Sequence, residues 1–199
     1  MTILTKTFSS IPINYDMIYA YASIKDNVSE FKPDIDNLLS EVINKLTYKV
    51  CYTSLPIVKN GETLDLGFYK STSKNLNERI NSCSEVIIFA STIGIEIDKL
   101  IKKYNHLSPL KALLLQAIGT ERIECLCNAF CYFMESEYSL LSKGLKPRFS
   151  PGYGDLPLTM QKEIFNLLNC PKFLGLTLND SMLMSPSKSV TAIIGVYGK

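Results

Sequence analysis

The chain has 199 residues, a formal charge of +2, 46% hydrophobic residues and 20% charged residues. That length fits one large domain or two small ones with a full core, and the near-neutral charge leaves no electrostatic footprint for nucleic acid. No apolar run approaches the roughly 18 residues of a membrane helix. The N-terminus has no apolar signal core, and the six scattered cysteines read as reduced thiols of a cytoplasmic protein.

Residues 1–13 read as an extended lead-in. Asn14 caps a short helix to about Ser23, with Met17, Ile18 and Tyr21 on one face. Pro33 and Asp34 start a second helix, in which Ile35, Leu38, Leu39, Val42, Ile43 and Leu46 recur at helical spacing. Tyr48–Val58 is rich in β-branched and aromatic residues and reads as a strand. Asn60-Gly61 is a hairpin turn, and the return strand runs from about Thr63 to Tyr69. Ser73–Ile80 suits a short helix. Ser84–Ala90, with its unbroken Val86-Ile87-Ile88-Phe89, suits a buried central strand.

Ser91-Thr92-Ile93-Gly94 leads into a helix containing Glu96, Asp98, Leu100, Ile101 and Tyr104. Such a turn is either an anion site at a helix start or an ordinary connection; it has one glycine and lacks the lysine of a P-loop. Ser108-Pro109 opens the longest helix, to about Ser142, apolar around most of its circumference up to Leu126 and therefore central. Glu124 is the exception within that apolar part. It either meets a ligand or pairs with a neighbour near Glu121 or Arg122.

Arg148-Phe149-Ser150-Pro151-Gly152-Tyr153-Gly154-Asp155-Leu156-Pro157-Leu158 follows. Proline fixes φ and removes a donor, and glycine permits positive φ. Arg148 offers a planar fork for a carboxylate or phosphate, and Tyr153 a flat face with a polar tip. The residue types fit an ordered binding loop for a small anionic molecule, or a rigid turn carrying a surface arginine. Thr159–Leu168 is an amphipathic helix stopped by Pro171. Leu176–Met184 and Ser189–Tyr197 read as strands joined by Ser185-Pro186-Ser187-Lys188.

The only histidine, His106, lies in a polar helix end and reads as solvated, and multi-histidine metal sites are excluded. On a helix Cys125 points about 200° away from Cys127, so Cys125, Cys127 and Cys131 read as packing residues rather than metal ligands. No Gly-x-Ser-x-Gly elbow is present. There is no internal repeat or linker, and strands and helices do not alternate strictly. These features favour a single α+β domain over residues 1–199, with a twisted, largely antiparallel sheet, flanking helices and an N-terminal lead-in at 1–30.

Arg148-Phe149-Ser150-Pro151-Gly152-Tyr153 resembles the Arg-x-x-Pro-Gly-Tyr signature of the reactivation domain of cobalamin-dependent methionine synthase. The longer run to Leu158, followed by Gln161, is similar to small free-standing proteins of that family. Ala90-Ser91-Thr92-Ile93-Gly94, Leu176-Thr177-Leu178-Asn179-Asp180-Ser181 and Lys188-Ser189-Val190-Thr191-Ala192-Ile193-Ile194-Gly195 also resemble it, so the likeness covers about residues 84–197.

The resemblance implies a methionine synthase activation domain-like fold and S-adenosylmethionine as ligand. Arg148 would clamp the methionyl carboxylate and Tyr153 would lie near the sulfonium. Ser150, Pro151 and Gly152 would line the ligand with backbone groups. Glu124, or Asn128 one helical turn on, would face its cationic portion. Asp16 and Asp26 are the candidates for an N-terminal acidic contact. The chain carries no Asp-x-His-x-x-Gly motif and no space for substrate barrels. The resemblance therefore implies an accessory component that is not active alone. It would dock in trans on a cobalamin-carrying methionine synthase or related corrinoid protein, with a flavodoxin-like or ferredoxin-like electron donor. A docking or chaperone module without S-adenosylmethionine is the alternative.

Overall fold

The computed structural model describes residues 1–61 and 63–198. Five strands form one fully antiparallel sheet in the order β1-β2-β6-β10-β7: β1 Leu4–Phe8, β2 Tyr48–Pro56, β6 Glu85–Thr92, β10 Ser189–Gly198 and β7 Lys143–Leu145. The apolar run of β6 lies between β2 and β10, with Ile88 opposite both Thr53 and Ile193. Its alternate residues serve two cores. Ile87 and Phe89 join Val50, Ala192 and Ile194 under one helical layer. Val86, Ile88 and Ala90 join Cys51 and Ile193 under another. A strand covered on both faces has no use for polar alternation.

The first layer holds α1 Tyr15–Tyr21, α2 Val28–Val42, α4 Glu96–Leu107 and α5 Pro109–Ser139. The second holds α3 Lys74–Arg79, α6 Met160–Leu168 and α7 Cys170–Leu174. Beside it run two small antiparallel sheets, one of β3 Val58–Asn60, β4 Thr63–Asp65 and β5 Lys70–Ser71, the other of β8 Thr177–Leu178 and β9 Met184–Ser185. The expected α+β class and antiparallel sheet are those observed. No helix among the described residues is long and apolar enough to cross a membrane.

Side-chain caps explain several helix starts. Asn14 Oδ1 accepts from Met17 N–H at 3.0 Å, Ser73 Oγ from Leu76 N–H at 3.0 Å and Ser108 Oγ from Lys111 N–H at 3.5 Å. Elsewhere the structure corrects the sequence reading. The second helix begins at Val28, and Pro33 lies inside it. Proline removes one backbone donor there, while Val28 and Phe31 pack on the core and extend the apolar face. Tyr48–Pro56 does not pair with the strand after Gly61; it pairs with β1 and β6, and the hairpin across Gly61 belongs to the separate small sheet.

The return strand is shorter than expected, ending at Asp65. The long helix ends at Ser139, and the short edge strand β7 follows it. Asn169, in the left-handed region at φ 47°, ends α6, so Pro171 sits in the first turn of α7 instead of acting as the stop. The expected strand over 176–184 is a tight hairpin between β8 and β9. The N-terminal lead-in is part of the fold, because β1 pairs with β2 from Leu4 to Phe8.

Candidate functional site

The loop after β7 is fixed at its start by Phe149, whose N–H and C=O exchange hydrogen bonds with Ile193 of β10 at 2.9 and 2.8 Å. Gly152, at φ 92°, and Gly154, at φ 57°, then turn the chain. Gly152 N–H donates to Leu156 C=O at 2.9 Å and Tyr153 N–H to Ser150 C=O at 3.3 Å. A Cβ on Gly154 would fall 1.9 Å from Asn75 Oδ1, so only glycine fits this approach to α3.

Asp155 binds the start of α3. Its carboxylate accepts from the Ser73 hydroxyl, from Lys74 N–H at 2.7 Å and from Asn75 N–H at 3.2 Å. These donors, the Ser73 hydroxyl foremost, hold the Asp155 carboxyl below its usual value. At the other end of α3 the Arg79 guanidinium lies 4.7 Å from the centre of the Phe149 ring. The loop therefore grips α3 at both ends.

Beside this loop is a cavity of about 410 Å³, within the usual size range of small-molecule sites. Arg148, Phe149, Ser150, Pro151 and Tyr153 form one wall. Glu124 of α5, Arg79 of α3 and Gln161 of α6 contribute others, and the start of β10 closes the far side. Gln161 ties two walls together: Nε2 donates to Met182 C=O at 2.8 Å, and Oε1 lies 3.5 Å from Thr191 Oγ1. Tyr153 stands on the rim, 67% exposed.

Arg148 Nη2 donates to Glu124 Oε2 at 2.5 Å, and Nη1 to Asn128 Oδ1 at 2.6 Å. Glu124 and Asn128 are one turn apart on α5 and share a face. Of the two positions the sequence offered for the helix contact, both are used on Arg148, and Glu124 is the one that lines the cavity. Its partner is not Glu121 or Arg122. Those two form a pair of their own, both fully buried. Arg122 also donates to Ile11 C=O at 2.8 Å and Pro12 C=O at 2.6 Å, while Glu121 accepts from Asn14 N–H at 2.8 Å. The pair thus straps residues 11–14 across α5.

Arg148, Ser150, Pro151, Tyr153 and Glu124 are brought round one space; Gly152 turns the chain behind them, next to Leu158. Asp16 lines a second cavity, of about 570 Å³, under the N-terminal strap together with Asn14, Cys125, Asn128 and Tyr132. Asp26 is exposed and lines neither cavity. The Ser91–Gly94 turn does not present a free helix start. Thr92 Oγ1 takes Gly94 N–H at 3.1 Å, and α4 carries its own anions, Glu96 and Asp98, in its first turn.

The cysteines on α5 face different ways. Cys125 Sγ donates to Glu121 Oε1 at 3.0 Å, and Cys127 Sγ is 3.3 Å from Ser91 Oγ. Burial pushes both thiols up to about 12, with the Glu121 carboxylate adding to the effect at Cys125. Both are neutral at physiological pH. Sequence reasoning missed Arg79 as a wall residue: it ends a short helix with no motif around it, and only the tertiary fold carries it to Phe149.

The fold is that of a known domain. A crystal structure described as the MetH reactivation domain bound to AdoHcy superposes with a TM-score of 0.72, covering 98% of this chain and 78% of that chain at 16% sequence identity. At that identity the likeness establishes the fold. No protein-family model matches the chain, and no curated protein matches it by sequence.

Proposed function

We propose that the chain binds an S-adenosylmethionine-type ligand in the 410 Å³ cavity and supports reductive methylation of a corrinoid held by a separate protein. The observation that carries this reading is the joint placement of Arg148, Tyr153 and Glu124 round that cavity, in a fold shared with a domain that binds AdoHcy. The residues suit the group. Arg148 uses two of its five N–H donors on Glu124 and Asn128 and also contacts the Cys131 thiol; its other donors would serve a ligand carboxylate. Glu124 supplies a negative charge for the ligand's ammonium or sulfonium. The Tyr153 ring offers a face on which a sulfonium is favoured, and Ser150 and Pro151 supply backbone contacts. Gly152 permits the bend that presents them.

When bound, the ligand supplies the methyl group; the chain's own residues hold, orient and shield it. The cobalt centre and the electron come from partners, a cobalamin-carrying methionine synthase or related protein and a flavodoxin-like or ferredoxin-like donor. Calorimetry with S-adenosylmethionine and S-adenosylhomocysteine tests the ligand. Binding that is lost in Arg148→Ala supports the reading, and absence of heat at high micromolar ligand rejects it.

One observation favours a second reading, a docking or chaperone module that binds no such ligand: Arg148 is already engaged by Glu124 and Asn128. Pull-down by a cobalamin protein separates the two. The module would retain the partner equally with intact and Arg148→Ala chains and without S-adenosylmethionine.

A further inference from the structure

The cavity is lined by three charged side chains: Arg79, Arg148 and Glu124. Two cations against one anion leave a surplus of one positive charge. Arg148 and Glu124 form the ion pair, at 2.5 Å. Arg79 makes no ion pair or hydrogen bond among the described residues, and its guanidinium lies over the Phe149 ring, 4.7 Å from the ring centre. Phe149 is only 8% exposed and is pinned by its backbone to β10, so the ring is a fixed platform. The contact holds the guanidinium beside the cavity, and its N–H groups have no partner among the described residues. The helix that carries Arg79 is bolted to the same loop at its other end by Asp155. The arginine is therefore held by the binding loop at two points.

Resting on the proposal that the cavity takes an S-adenosyl ligand, we infer that Arg79 is a second anion-recognition residue of that cavity. It supplies the uncompensated charge that draws in the ligand's carboxylate, so the preferred ligands are nucleosides bearing an anionic head rather than plain nucleosides. A guanidinium already neutralised attracts an incoming carboxylate less than one that is not. Arg148 then fixes the geometry of the head group, and Arg79 sets the requirement for its charge.

The test compares intact chain, Arg79→Gln and Arg79→Lys with two probes, S-adenosylhomocysteine and 5′-methylthioadenosine, which keeps the nucleoside and thioether but lacks the amino acid. Loss of one charge-assisted contact corresponds to roughly ten- to hundredfold in affinity. Arg79→Gln is expected to weaken S-adenosylhomocysteine by at least about tenfold while methylthioadenosine changes by less than about twofold, with Arg79→Lys between the two. Equal losses for both probes, or none for either, overturn the inference. If the intact chain binds neither nucleoside, the ligand reading fails and Arg79 is judged with sodium acetate alone. Its side-chain Nε–H resonance, assigned by its absence in Arg79→Gln, is expected to shift and saturate. A linear, unsaturating drift would sink the inference.

Discussion

Glu124 Oε2 lies 2.5 Å from Arg148 Nη2, and the two residues come from α5 and from the loop following β7. Within the cavity each provides the charge the other lacks. In the proposed binding mode a ligand carboxylate would add to the Arg148 donors left by Glu124 and Asn128, and its ammonium would meet Glu124. The Arg148 fork is also braced by Asn128 at 2.6 Å.

Arg148→Ala removes the fork and is expected to weaken S-adenosylhomocysteine binding by about ten- to hundredfold, the worth of one charge-assisted hydrogen-bonded contact. Arg148→Lys keeps the charge but not the planar geometry and should recover only a small part of the loss. Calorimetry on the three proteins reads both effects, and a fully restored affinity in the lysine variant would contradict a bidentate role.

Tyr153 is two-thirds exposed at the cavity rim. Its replacement by leucine keeps apolar bulk and removes the aromatic face. An exposed cation–π contact contributes about 0.5–1 kcal/mol. Tyr153→Leu is therefore expected to weaken S-adenosylmethionine by about two- to fivefold and the uncharged thioether of S-adenosylhomocysteine by less. The ratio of the two affinities is the measurement. An unchanged ratio places the ring away from the sulfonium.

Asp155 ties the loop to α3, and its carboxyl is held below the ordinary 3.8 by the Ser73 hydroxyl and two backbone N–H groups. A depressed folded value means that this contribution to stability is present above pH 3.8 and is lost as pH falls through the lower, folded value. Asp155→Asn removes it at neutral pH. The expected outcome is a lower melting temperature at pH 7 and a smaller difference from the intact protein at the acid end, read by circular dichroism melts across pH.

The buried Glu121–Arg122 pair holds the strap at residues 11–14. Removing one partner of a buried pair leaves the other charge uncompensated, at a cost of about 3–5 kcal/mol. Arg122→Met and Glu121→Gln are each expected to lower the urea midpoint, and the double variant to lose less than the sum of the two single losses. A double-mutant cycle in urea measures the coupling, and additivity would contradict the pairing.

Gly154→Ala is expected to be destabilising for two reasons, its φ of 57° and the 1.9 Å approach to Asn75 Oδ1. A cost of about 1–3 kcal/mol is typical of strain and overpacking. Asn75→Ala relieves the steric part alone, so the double variant should regain only some of the loss in a urea titration.

Much of the fold could be read from local chemistry. Asn14, Ser73 and Ser108 announce their helices by capping, and the apolar run Val86–Phe89 announces a strand covered on both sides. What failed was long-range. The partner of Tyr48–Pro56 is chosen by the sheet, and the nearby Asn60-Gly61 signal describes another pairing altogether. Pro33 inside α2 shows tertiary burial overriding a local start signal. At the site, the compact run Arg148–Tyr153 was visible because its special residues are contiguous. Arg79 was not, and Glu121 and Arg122 entered only as possible neighbours of Glu124, because a charged dipeptide carries no sign of the carbonyls it will meet.

Phe149 joins β10 through a single two-bond bridge, one of several long-range junctions the cavity needs. Its walls are drawn from Arg79, Glu124, the segment from Arg148 and the strand from Ser189, so no short piece of chain encloses it. Such remote pairings close late and slowly. A nucleoside binding there as proposed would therefore stabilise the whole native structure rather than one corner of the molecule.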